Sequence, residues 1–122
     1  MWRFEKMIIP LDYPDGYFSM SPEKKAEVCN GAGAADGIKV PSTMYGLDLT
    51  EVFNIHDYDY YMGENEEDKR AADGRMLINS MRMINNYGGR LRKLRRYRAT
   101  SYYTAVADYG KKAFYAGKEQ SA

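Results

Sequence analysis

Two helical stretches in close succession, residues 48–62 and 66–86, constrain this 122-residue chain more than any other feature. In the first, Asp48 can act as N-cap and Glu51 stands three residues on, the spacing of a capping box. Gly63 then stops the helix. In the second, Asn65 is a good cap, and Glu66, Glu67 and Asp68 suit the positive end of the helix dipole. Gly88-Gly89 ends that element. The first helix gathers Val52, Ile55, His56 and Tyr60 on one face, and the second gathers Asp73, Leu77, Ser80, Met81 and Ile84. Each mostly apolar stripe therefore carries one group with chemistry. Two antiparallel helices that bury these stripes against each other turn His56 toward Asp73.

The flanking segments are simpler. Residues 1–22 read as an extended arm with turns at Pro14-Asp15-Gly16 and at Ser21-Pro22, where a short helix can open with Ser21 as cap. Three glycines between Gly31 and Gly37 favour a loop. A third helix is predicted from about Leu91 to Tyr115, basic and tyrosine-rich over 90–116, with a stripe at Leu91, Leu94, Tyr97, Ser101, Ala105 and Tyr109. No stretch reads strongly as a β-strand. The expectation is one mainly α domain over 1–122, with its core in 28–80.

One cysteine cannot form an internal disulfide, so the fold must stand on packing, with or without help from a metal. No apolar run reaches the roughly 18 residues of a membrane span, and the N-terminus lacks the apolar segment of a secretory signal. An intracellular or virion-associated location is expected. Charge is uneven, with 5 Lys/Arg against 10 Asp/Glu in residues 1–60 and 13 against 7 afterwards. The excess is concentrated in Arg90, Arg92, Lys93, Arg95, Arg96 and Arg98, a cluster able to meet an anionic surface. A membrane surface or a second copy of the chain is the expected partner ahead of nucleic acid.

His56 is the only histidine, and it is followed at once by a carboxylate, Asp57, and one turn later by Tyr60. At about 100° per residue, Asp57 points away from the face that His56 and Tyr60 share. Asp57 can thus bind a cation while His56 accepts a proton beside it. A hard cation such as calcium takes oxygen ligands, mixing carboxylates with backbone carbonyls, and the turn Cys29-Asn30-Gly31-Ala32-Gly33 can supply the carbonyls. Asp73 can hold the imidazole in one tautomer, as the third member of a catalytic triad does.

Rival motifs fail on the residues. An EF-hand loop from Asp57 would need glycine where Met62 stands. One histidine cannot build a multi-histidine phosphohydrolase site, and no Gly-x-Ser-x-Gly elbow is present. Cys29 has no obvious activating base near it in the sequence. The bland alternative is that His56 is a half-buried core histidine bonded to Asp73.

The run Gly46-x-Asp48-Leu49-x-x-Val52-Phe53-x-Ile55-His56-Asp57-x-x-Tyr60 resembles the catalytic helix of the phospholipase A2 superfamily, in its prokaryotic and fungal form. Cys29–Gly33 resembles that family's calcium loop, and Ala72-Asp73 falls where the family carries its second-helix aspartate. The resemblance covers about residues 28–80. It implies a phospholipase A2-like fold and calcium-dependent hydrolysis of a phospholipid or related lipid ester. His56 would be the base that activates water, Asp73 would orient it, and Tyr60 would brace Asp73. Calcium would be held by Asp57 and by the carbonyls of Cys29, Gly31 and Gly33, with the amide of Gly31 in the oxyanion hole. The chain departs from the family in three ways. Val52 and Phe53 stand where the family has half-cystines. Ala34 replaces a glycine. The span from Gly33 to His56 is several residues longer. The missing signal and disulfides fit an intracellular or phage-encoded relative, and a second class stays open, a catalytically silent binding or assembly module.

Overall fold

The computed structural model describes residues 10–29 and 42–118. These residues are mainly helical. The elements are α1 (Pro22–Val28), a hairpin of β1 (Thr43–Met44) and β2 (Leu47–Asp48), then α2 (Thr50–Met62), α3 (Glu66–Tyr87), α4 (Arg92–Tyr109) and α5 (Lys111–Tyr115). Only residues 63–65 join α2 to α3, so the chain folds straight back and the two helices pack side by side. Among the described residues, no helix is long and apolar enough to cross a membrane.

Local chemistry sets the starts of α1 and α3 as expected. Ser21 accepts from the Lys24 amide at 3.0 Å, with Pro22 at the first helical position, and Asn65 accepts from the Asp68 amide at 2.9 Å. The start of α2 differs. Asp48 belongs to β2 rather than to the cap, and its carboxylate accepts from the Thr50 amide at 2.9 Å and hydroxyl at 2.6 Å. The capping box with Glu51 does not form. Glu51 instead accepts from the Tyr13 hydroxyl at 3.1 Å.

The hairpin that displaces this cap is absent from the sequence-based expectation. It pairs Thr43 with Asp48 and Met44 with Leu47 around Tyr45 and Gly46, both at positive φ (50° and 84°). That turn matches the right-handed twist of the strands, but it requires Tyr45 to adopt a conformation that side chains resist. The side chain of Arg95, on α4, donates to the carbonyls of Met44 (3.0 Å) and Tyr45 and so fixes the turn.

The same contact overturns the expected register of the third helix. Arg95, Ala99 and Val106 are buried, with Tyr102 and Tyr103 packed beside them, whereas Leu91, Leu94, Tyr97 and Tyr109 are exposed. The apolar stripe read from the sequence faces outward because polar anchors, invisible to hydropathy, decide which side goes in. Arg95 is therefore removed from the expected anionic surface. The third helix is also broken, since α4 ends at Gly110 before α5 begins. A Cβ at Gly110 would lie 2.6 Å from the Val106 carbonyl and 3.0 Å from the Tyr60 hydroxyl. Glycine is likewise required at residue 63, at the end of α2, where a Cβ would meet the Phe114 ring at 2.7 Å.

The main core lies between α2, α3, α4 and α5, around Leu49, Val52, Phe53, Met76, Ile84 and Phe114. A smaller cluster of Tyr17, Val28, Ile55 and Tyr58 fastens α1 and the N-terminal arm to the other side of α2. The arm is further tied to α3, because the Asp12 amide donates to Asn79 at 2.7 Å and the Asn79 side chain donates back to the Asp12 carbonyl at 3.0 Å.

Arg95→Met should destabilise the protein by about 2–4 kcal/mol, because two carbonyls lose a charged donor and the strained turn loses its clamp. Arg96→Met, one residue along on the exposed side, should change stability by less than about 0.5 kcal/mol. Thermal unfolding of the two variants checks both values.

Candidate active site

A buried carboxylate organises the interface between α2 and α3. Asp73 is 2% exposed, and each of its oxygens is met by donors. The Nε2 atom of His56 lies 2.8 Å from Oδ1, and the Tyr60 hydroxyl donates to the same oxygen at 2.7 Å. Lys69 donates to Oδ2 at 2.8 Å. His56 and Tyr60 come from successive turns of α2, and their rings lie 4.2 Å apart, centre to centre. Three of the expected site residues, His56, Tyr60 and Asp73, thus meet in one network. With Nε2–H donating to Asp73, the lone pair of the imidazole is on Nδ1.

Lys69 is the member that the sequence reading missed. It is 4% exposed, and its ammonium also donates to the carbonyls of Val106 at 3.0 Å and Ala107 at 3.4 Å, at the C-terminal end of α4. The signal was present, because Lys69 stands four residues before Asp73, the spacing of a same-face ion pair. The lysine was passed over because a cation on a buried stripe looks like a break in it. Burial pushes the Asp73 carboxyl upward, but hydrogen bonds from His56, Lys69 and Tyr60 outweigh it and hold the group below the usual carboxylate range. Asp73 is therefore an anion, compensated by a cation on its own helix.

The other expected residues lie further round α2, Asp57 being turned about 100° from His56 around the helix axis. Asp57 is half-buried there, and the packing of Val28 against Ile55 brings the end of α1 alongside. The Cys29 thiol donates to the Asn54 carbonyl at 3.5 Å. Burial raises its pKa, and the nearby charge of Asp57 raises it further. Cys29, where the glycine turn begins, and Asp57 are thus neighbours. Gly31 and Gly33 lie outside the described residues. Among the described residues no three His, Cys, Asp or Glu side chains come together to hold a metal. Of the expected calcium ligands, the described ones are Asp57, a carboxylate, and Cys29, through its backbone carbonyl, both of them oxygen donors of the kind a hard cation takes.

Arg75 adds a second polar tie near the site. Its guanidinium donates to both oxygens of Asp59 (2.8 and 3.0 Å) and to Asp12 at 3.0 Å, joining α3 to α2 and to the arm. Arg90, Arg92, Lys93, Arg96 and Arg98 are exposed, unlike Arg95.

No protein-family model, curated protein or solved structure matches the chain.

Lys69→Met should cost about 3–5 kcal/mol, since it leaves a buried carboxylate without its cation. Asp73→Asn in that background should recover part of the loss, which a double-mutant cycle by chemical denaturation measures. Because the Asp73 pKa is lowered in the folded state, its contribution to stability is complete above about pH 4 and is lost as pH falls through the lowered value. Lys69→Met should therefore move acid unfolding to higher pH.

Proposed function

We propose that this chain is an ester hydrolase of the phospholipase A2 type, in which His56 activates water against a phospholipid or related lipid ester with the help of calcium. The observation that carries the reading is the 2.8 Å contact between His56 Nε2 and a carboxylate kept ionised in a buried site. Asp73 holds the imidazole through Nε2–H, so the Nδ1 lone pair is the proton acceptor for a water molecule. Tyr60 restrains the shared oxygen Oδ1, and Lys69 restrains Oδ2, so the carboxylate cannot swing away from the ring. As His56 takes the proton, the charge of Asp73 stabilises the imidazolium that forms. Asp57, with the carbonyls of Cys29, Gly31 and Gly33, would hold calcium, which supplies positive charge for the ester oxyanion.

A second reading has its own observation. His56, Tyr60, Lys69 and Asp73 are all buried and form a closed, charge-balanced network that joins α2, α3 and α4. Such a network also serves a silent binding or assembly module in which it only fixes the helices.

Fatty-acid release from mixed micelles, with calcium titrated against the purified protein, separates the two. The hydrolase reading expects calcium-dependent turnover that falls by at least about 10³-fold in His56→Gln. It also expects calcium to raise the melting temperature of the wild type and not that of Asp57→Asn. Neither turnover nor a calcium-dependent melting shift in the wild type would assign the network to the second reading.

A further inference from the structure

Between Asp73 and Asp108 the chain has no acidic residue and eight basic ones, so the acids that would balance a solvated helix face are missing. Three of the eight are engaged within the fold. Arg75 pairs with Asp59 and Asp12, Arg82 donates to the Pro10 carbonyl at 2.9 Å, and Arg95 clamps the hairpin. The other five, Arg90, Arg92, Lys93, Arg96 and Arg98, are exposed and form no ion pair among the described residues. Most stand in the first two turns of α4, where the helix dipole is itself positive and no carboxylate offsets it. The cluster works against helix stability, so the fold gives no reason for it.

Tyrosines are interleaved with these cations. Tyr97, Tyr87 and Tyr45 are 69%, 61% and 45% exposed. Two of them already carry a guanidinium on the ring. Arg95 lies 5.0 Å from the centre of Tyr87, and Arg98 lies 5.8 Å from that of Tyr45. These contacts hold both rings beside arginines of α4, and exposed Tyr97 stands between Arg96 and Arg98 in sequence.

We propose that the outer face of α4, with the Tyr45 turn and Tyr87 at its margin, binds a single-stranded nucleic acid. Exposed cations meet the backbone phosphates and the tyrosine rings stack on bases, the combination that characterises strand-binding surfaces. Two features favour this polyanion over an anionic bilayer. Four of the five cations are arginines, whose planar fork matches a phosphate bidentately, whereas a bilayer's surface potential attracts lysine equally well. The most exposed rings here are hydroxyl-bearing, and the aliphatic Leu91 and Leu94 are only 39% and 41% exposed, too little to drive insertion. The proposal does not depend on the hydrolase reading.

Fluorescence anisotropy of a labelled oligothymidylate, titrated with the full chain over a range of salt concentrations, tests it. Binding is expected at about 50 mM salt and should weaken steeply with salt, by a factor of about 0.7 log units per log unit of salt for each phosphate contact. Arg92→Ser with Arg96→Ser should flatten that slope by about 1.4. Tyr97→Ala should weaken binding about 5- to 100-fold while leaving the slope unchanged. Circular dichroism checks that each variant is folded. Absence of binding at low salt overturns the proposal. So does binding that Tyr97→Ala leaves intact, since simple charge attraction would then suffice. Stronger association with phosphatidylserine vesicles, not competed by the oligonucleotide, would assign the face to a lipid surface. Dissociation of an oligomer by the same arginine substitutions would assign it to a second copy of the chain.

Discussion

A carboxylate taken out of water must be repaid by donors, and the position of Asp73 leaves it only protein to turn to. Its donors come from two helices. His56 and Tyr60 reach it from α2, and Lys69 from its own helix, α3. Lys69 then spends its remaining protons on α4, so one anion sets the relative position of three helices. Apolar packing around Met76, Ile84 and Phe114 supplies most of the cohesion, but it is tolerant of sliding. The network is not, because each bond has a length and a direction. The arrangement that fixes the helices also leaves a histidine with one nitrogen committed and the other able to act as a base.

Much of this is legible in the sequence. The caps at Ser21 and Asn65, the two paired helices, and the meeting of His56 with Asp73 follow from spacing and cap chemistry alone, because those signals act within a few residues. Two of the failures concern buried cations. Arg95 interrupts an apolar pattern, so periodicity assigned it to solvent and assigned Leu91, Leu94 and Tyr97 to the core. In the fold it reaches two carbonyls in a turn about fifty residues earlier, a partner that no local pattern can reveal. Lys69 differs, because its partner Asp73 stands only four residues on, but a cation on a buried stripe looks like a break in the stripe. The hairpin escaped because two-residue strands have no period and because tyrosine is a poor signal for a positive φ. Asp48, readable as a cap, was diverted into that hairpin.

The break at Gly110 shows how closely the site and the C-terminal helices depend on one another. Tyr60 braces Asp73 with its hydroxyl and stacks edge-on against Phe114 at 5.1 Å with its ring. A side chain at residue 110 would press against that hydroxyl, so the position is held by glycine. The chain turns at this glycine, and Phe114 lies in the core and against Gly63 at the end of α2. The brace on the carboxylate and the closure of the main core are thus two uses of one aromatic residue.

The Arg95 clamp also bears on the order in which the molecule assembles. The pairing of His56 with Asp73 closes a loop of 17 residues, whereas the bond from Arg95 to Met44 closes one of 51. Loop-closure entropy grows with the logarithm of loop length, so the longer closure costs more and has no local helix–helix packing to offset it at the outset. The α2–α3 pair is the natural nucleus. The turn at Tyr45 has its own strand pairing, but its left-handed backbone gains the Arg95 clamp only when α4 arrives. A strained turn clamped by a residue about fifty positions on records whether α4 has docked.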